Sequence, residues 1–176
     1  MTNEVSSKEV IHIHWNIINN NLNPNLYLDN TANIIISRLC ILHLTIDDKY
    51  LFLSKCFRWL TSGGYIAIED YAESKYGISN NDKKILINHV AVPDGKLLTV
   101  KQWIDLLTKI GFIDIQIIDL TKKWKLFITD RTLKAELNKT LEDKIIGNKK
   151  RIFYKKIDEL FSNNNILGIK IYAKKK

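Results

Sequence analysis

Ile34-Ile35-Ile36-Ser37-Arg38-Leu39-Cys40-Ile41-Leu42-His43-Leu44 is the stretch on which the reading of this chain turns. Its opening isoleucines are β-branched and show no polar alternation, the pattern of a strand buried on both faces inside a parallel sheet. Working forward, Asp47 to Leu60 is predicted to be a helix, with Phe52, Cys56 and Trp59 on one face and Leu53, Phe57 and Leu60 beside them. Gly63-Gly64 is expected to close that helix, because a helix C-terminus favours a residue that takes positive φ. Tyr65 to Asp70 then reads as a second strand. Residues 71–98 read as irregular, with Gly77, Pro93 and Gly95 as breakers.

Thr99-Val100-Lys101-Gln102 is a capping box that opens a helix with Val100, Trp103, Ile104, Leu107 and Ile110 on one face, closed by Gly111. Phe112 to Leu120 is predicted to be a strand. Residues 129–162 read as two basic amphipathic helices broken near Gly147, and Leu167 to Ala173 as the last strand. Working backward, Ile11, Ile13 and Ile17 with His12 and His14 read as a strand running out at Trp15–Asn16, followed by an Asn-rich loop from Asn19 to Asn33. Alternating strands and helices predict an α/β fold with a mostly parallel sheet, a helical insertion at about 129–162, and an antiparallel C-terminal strand. Residues 1–176 are expected to form a single domain.

Composition narrows the function classes. The chain is 45% hydrophobic and 26% charged, so it is globular. No run of about 18 apolar residues is present, and the polar MTNEVSSKEV start does not read as a secretory signal. Cys40 and Cys56 are too few and too far apart for a disulfide framework or a CxxC site, which makes a reducing, cytoplasmic location the expectation. Ile, Asn and Lys number 28, 17 and 23, a skew that reads as coding bias. The formal charge of +8 is uneven: residues 99–176 hold eighteen Lys/Arg against nine acids. Such asymmetry marks either a nucleic-acid or anionic-membrane face or simply a lysine-coated surface. No aromatic interleaving supports RNA binding, so nucleic acid is disfavoured.

The block from Ser37 to Tyr71 (Ser37-Arg38-Leu39-Cys40-Ile41-Leu42-His43, a helix ending Arg58-Trp59-Leu60, then Gly63-Gly64 and Ile68-Glu69-Asp70-Tyr71) resembles the second half of S-adenosylmethionine-dependent class I methyltransferases. Among them it is most similar to phosphoethanolamine N-methyltransferases, which act in phosphocholine biosynthesis. The resemblance runs more weakly from about Glu9 to the C-terminus and implies a Rossmann-like fold of which this chain is the C-terminal portion. It implies that Asn16 and Ile17 lie beside the adenine of the cofactor, S-adenosyl-L-methionine. Ser37 and Arg38 would contact its methionine part, and Arg38 the substrate phosphate region as well. His43 would be the histidine of a catalytic Tyr–His pair, and Tyr71 a substrate-contacting residue. In open α/β sheets ligands bind beyond the C-terminal ends of the strands, which is where Asn16, Ser37–His43 and Asp70–Tyr71 fall.

Departures from the family pattern carry equal weight. Leu39 stands where the family has an acid, and Asn16 where it has an aspartate. The family's phosphate-binding tyrosines and arginine have no clear counterparts in 72–98. No G-x-G-x-x-G occurs in the 176 residues, so no glycine turn here brings backbone N–H groups to a cofactor at a helix N-terminus. The expectation is therefore a truncated or split methyltransferase, inactive alone, that needs a complementing N-terminal half or a homo-oligomer. The alternative is a non-catalytic binding or regulatory module. His43 is the leading candidate for acid–base chemistry, against the alternative of a histidine packed in a crossover. Asp70 reads equally as a structural strand-end carboxylate or a cofactor-edge group. A metal site of His12, His14 and His43 is disfavoured, because no carboxylate or cysteine accompanies them at ligand spacing.

Overall fold

The computed structural model describes residues 29–145 and 148–176. The strand expected at Ile11–Trp15, with Asn16 and Ile17, lies outside the described residues. Those described form an α/β layer structure. β1 (Ala32–Arg38) leads through a 3₁₀ turn at Ile41–His43 into α1 (Ile46–Trp59) and β2 (Leu60–Glu73). A short α2 (Asn80–Ile85), a π turn at Leu86–Val90 and a 3₁₀ turn at Pro93–Gly95 follow, then α3 (Val100–Ile110) and β3 (Phe112–Asp119). The insertion is α4 (Thr121–Leu137), α5 (Lys139–Ile145) and α6 (Asn148–Ser162), and β4 (Ile166–Lys175) ends the fold.

Among the described residues the sheet order is β1-β2-β4-β3. β1 pairs parallel with β2, while β4 slots antiparallel between β2 and β3. Three strands therefore share one direction and the C-terminal strand opposes them, as expected. Their common C-terminal ends gather Ser37–His43, Asp70–Glu73 and the start of the insertion.

Local chemistry explains the helix boundaries. Thr45 caps α1 by accepting from the Asp48 N–H. Thr99 and Gln102 form the reciprocal capping box of α3, and Gly111 (φ 112°) closes it with its N–H on Leu107 and Thr108 carbonyls. One core lies between the sheet and α1 with α3, built on Leu53, Cys56, Ile66, Ile68, Trp103, Leu107 and Ile171. Phe57 and Phe112 meet edge-on at 5.0 Å beside it. A second core joins Leu42 and Tyr71 to Leu86 and Val92 from the 80–97 segment and to Ile128, Ile157 and Phe161 of the insertion.

Four expectations need correction. Ile34–Ile36 is not buried on both faces: β1 has a single neighbour among the described residues, and Ile36 is 78% exposed. Gly63-Gly64 does not cap α1, which runs straight into β2 through an extended Leu60. Gly63 (φ 78°) instead serves an irregularity in which β2 advances from Leu60 to Tyr65 while β1 advances only from Ala32 to Ile34. Residues 71–98 are more ordered than expected, and Ser79 with Asp82 forms a capping box there. The insertion begins at Thr121 and, among the described residues, holds three helices, Asn138 separating the first two; the break expected near Gly147 lies outside the described residues.

Gly168 shows why the insertion docks where it does. A Cβ at that position would stand 2.6 Å from the Trp124 ring, so only glycine lets α4 approach β4 this closely. Gly168→Ala should cost about 1–3 kcal/mol by overpacking, and Trp124→Leu in the same chain should recover part of it. Urea unfolding of the single and double variants measures this. Equal stability of Gly168→Ala and the parent protein would disprove the contact.

Candidate functional site

Leu39, the residue that ends β1, has φ 48°, a strained value for a leucine, and its N–H donates to the Glu69 carbonyl at 2.8 Å. That left-handed step turns the chain across the end of β2. The Leu42 N–H then points at Asp70 and donates to its Oδ2 at 2.9 Å, while Oδ1 accepts the Tyr71 N–H at 2.8 Å. Asp70 is fully buried. Its carboxyl is pushed up to about 7, first by burial, with the backbone N–H groups of Tyr71, Leu42 and Ile41 and the charge of Lys49 pulling the other way. Lys49, also buried, donates its Nζ to the Leu44 carbonyl, and desolvation lowers its pKa to about 8 against the opposing fields of Asp70 and Asp48. The turn that carries His43 is thus pinned at Leu42 and at Leu44.

His43 sits at the end of that turn, part-exposed, with Nδ1 3.1 Å from the Ala91 carbonyl oxygen. A carbonyl can only accept, so Nδ1 carries the proton and Nε2 keeps its lone pair in the neutral ring. Ala91 itself is left-handed (φ 59°) at the end of the π turn. Two non-glycine residues in this sparsely populated region, Leu39 and Ala91, thus flank one histidine. Such outliers gather at functional sites.

The other candidates divide between the two sheet faces. Ser37 is buried on the core side in register with Ile68, and its Oγ has no hydrogen-bond partner among the described residues. An orphaned hydroxyl at a strand end fits a ligand's polar group. Arg38 lies on the opposite face, exposed, with Nε 3.3 Å from Glu69, which also meets Lys170 at 3.2 Å. Tyr71 is only 5% exposed, its ring edge-on to Trp124 and Phe161 at 5.6 Å each, and burial raises its hydroxyl pKa. Its ring is a core element in this arrangement. Asn16 and Ile17 lie outside the described residues. Two shallow clefts of about 390 and 360 Å³ occur elsewhere, one between α1 and α3 and one on the open sheet face around Tyr65 and Tyr172. Neither is lined by Ser37 or His43. Among the described residues no cluster of His, Cys, Asp or Glu suits a metal ion.

Sequence reasoning missed Lys49 and Ala91. Lys49 had a legible signal: it falls on the same helical stripe as Leu53, Cys56 and Leu60, all buried, where a lysine needs a partner. Ala91 had none, because its part is played by a backbone carbonyl.

No protein-family model matches the chain. Over 96 residues it is 30% identical to the phosphoethanolamine N-methyltransferase of Plasmodium falciparum, covering 54% of this chain and 35% of that protein. Over 118 residues it is 32% identical to phosphoethanolamine N-methyltransferase 1 of Triticum aestivum, covering 67% and 22%. The chain thus spans about a third or less of the curated relatives it matches. Its fold superposes on Haemonchus contortus phosphoethanolamine N-methyltransferase 2, solved with phosphomonomethylethanolamine and S-adenosylhomocysteine, with a TM-score of 0.70 at 23% identity, over 85% of this chain and 34% of that one. It superposes equally on the cyclopropane synthase MmaA2 of Mycobacterium tuberculosis, with a TM-score of 0.71 at 13% identity, over 84% and 57%.

The fold is that of the class I methyltransferases, and the sequence is similar to phosphoethanolamine N-methyltransferases.

The buried carboxyl makes a test of the site's geometry. Because its folded pKa is raised, Asp70 contributes stability that is complete below the unfolded value near 4 and is lost as pH rises through about 7. Asp70→Asn keeps the shape but leaves one of the two N–H groups without an acceptor. It should therefore be destabilising at pH 4.5 and less so at pH 7.5, the difference amounting to about 2–4 kcal/mol. Denaturant unfolding at both pH values checks this, and a penalty independent of pH would show that Asp70 is ionised throughout.

Proposed function

We propose that these residues form the acceptor-side half of an S-adenosylmethionine-dependent N-methyltransferase acting on phosphoethanolamine or its methylated forms. The observation that carries this reading is His43, held by Nδ1 on the Ala91 carbonyl just beyond β1, in a chain similar to enzymes named for that reaction. S-adenosylmethionine, when bound, supplies a methyl group on a sulfonium. The Ser37 hydroxyl, buried and unpaired at the end of β1, would hold one edge of it. The glycine turn has no counterpart in these 176 residues, so a segment outside them, or another chain, would have to supply the rest of the cradle.

The acceptor's role fits the same residues. An ammonium has no lone pair, so the acceptor amine must shed a proton before nitrogen can attack. His43 Nε2 takes that proton, with Nδ1 anchored so that the ring presents the correct nitrogen. Among the described residues Arg38 is exposed and paired across the surface with Glu69, so exchanging that contact for a phosphate costs little. Tyr71, with its ring in the second core, would act by positioning Trp124 and Phe161 rather than by touching the acceptor. A non-catalytic module is the second reading. It is favoured by Leu39, which cannot accept a hydrogen bond where the family has an acid.

Two measurements test the proposal. Calorimetry on the purified 176 residues should show weak or no binding of S-adenosylmethionine, whereas low-micromolar binding would mean that the cofactor is held by another element. Steady-state kinetics should then be run with the glycine-loop portion of the Plasmodium falciparum enzyme supplied as a separate chain, and with phosphoethanolamine as acceptor. Turnover should fall by roughly 10²–10⁴ in His43→Ala, while Arg38→Ala should mainly raise KM. If no turnover is restored, the module reading stands. If His43→Ala keeps full turnover, the base is elsewhere.

A further inference from the structure

α4 is apolar on two sides. Its inner side buries Ala135 and also Ile128, which lies in the same core as Ile157, Leu160 and Phe161 of α6, and that packing fixes the helix in place. Its outer side carries Leu126, Leu133 and Leu137, with Phe127 exposed a quarter turn away and Leu141 exposed on α5. These five are exposed by between 58% (Leu141) and 84% (Leu137). Leu126, Leu133 and Leu137 lie within about 40° of one another around the helix axis at 100° per residue. Together they make a ridge, and it takes no part in the cores described above. Large apolar side chains grouped on a surface mark an interaction site rather than a packing need.

The rim of the ridge says what kind of partner fits. Lys122 lies on one flank, and Lys123 and Lys134 on the other, where Asp130 pairs with Lys134 at 2.7 Å, and all four are exposed. Lys139 and Lys144 follow on α5, also exposed. Between residues 121 and 156 there are twelve lysines and arginines against four acids. A convex leucine ridge between lysines is the arrangement of a helix lying in a lipid interface, apolar side chains among the acyl chains and ammonium groups at the headgroups. Leucines offer nothing to a nucleic-acid phosphate backbone, so the charge alone does not argue for nucleic acid. No helix among the described residues is long and apolar enough to cross a membrane. We infer that the outer face of α4 and α5 docks on a bilayer carrying anionic phospholipid, with Leu126, Leu133 and Leu137 inserted and the flanking lysines over the headgroups. The inference is independent of the methyltransferase reading, because none of these residues lies at the His43 site.

Co-sedimentation of the full 176-residue protein with vesicles tests it. Vesicles of phosphatidylcholine with phosphatidylserine should pellet the protein at least tenfold more strongly than phosphatidylcholine alone, and high salt should reduce this binding. Leu133→Glu with Leu137→Glu should abolish the binding, and Lys122→Gln with Lys123→Gln should weaken it roughly tenfold or more. All four positions are exposed, so circular dichroism and thermal melts of both variants should match the parent. Three outcomes would overturn the inference: no preference for anionic vesicles, binding unchanged in the leucine variant, or a leucine variant that merely turns an oligomer into a monomer by sedimentation. The last would make the ridge a contact between copies of the chain.

Discussion

The carboxylate of Asp70 accepts two backbone N–H groups at the point where β1 and β2 end, and the architecture around it follows from that. One N–H belongs to β2 and the other to the turn after β1. Without the carboxylate, two buried donors would have no acceptor, at about 1–3 kcal/mol each. The arrangement pulls Leu42 down into the second core beside Tyr71 and leaves His43 at the surface. Lys49 reaches the same place from α1, through the Leu44 carbonyl. Strand, turn and helix are thereby fixed to one another through side chains whose charges are costly to bury. A polar cluster of this kind admits few alternative arrangements, which is the property a site needs if it must hold an imidazole in a fixed orientation.

The two faces of the sheet are finished differently. α1 and α3 cover one face and make a continuous core with it. The insertion covers only the Tyr71–Gly168 end of the other, where Trp124 presses on Gly168. The rest of that face carries Ile36, Tyr65 and Ile118, with the ion-pair row Arg38–Glu69–Lys170 running across three strands. The Arg38–Glu69 pair, whose guanidinium is exposed, contributes little to stability. It also leaves Arg38 able to change partners. The superposition on class I methyltransferases extends over most of this chain but over only a third to a little more than half of those proteins.

Much of the fold was legible because short-range rules decided it. The α3 capping box, Gly111 after it, the β3 pattern and the antiparallel last strand all stand as read. Errors fell where a neighbour outranked the local pattern. Three isoleucines in a row meant a buried strand by composition, yet burial depends on what lies on either side, and β1 has one neighbour among the described residues. Gly63-Gly64 offered a helix stop, but the pairing of β2 with β1 began at Leu60 and used Gly63 in its irregularity instead. The start of the insertion was set about eight residues too late, since Asp119 accepts the Thr121 N–H and helix begins there at once.

For the site, the strand ends in the sequence pointed to Ser37–His43 and Asp70–Tyr71, because such ends are local features, and the family resemblance gave Ser37, Arg38 and His43 their expected roles. The sequence left Asp70 open between two roles and gave no hint of Ala91. Only the tertiary structure decided these. Asp70 Oδ2 is filled by a backbone group 28 residues away, and the His43 tautomer is set by a carbonyl 48 residues away. Neither partner is chosen by its side chain. Backbone groups are the same at every position in a sequence, so which of them meets a given side chain is written only in how the chain folds.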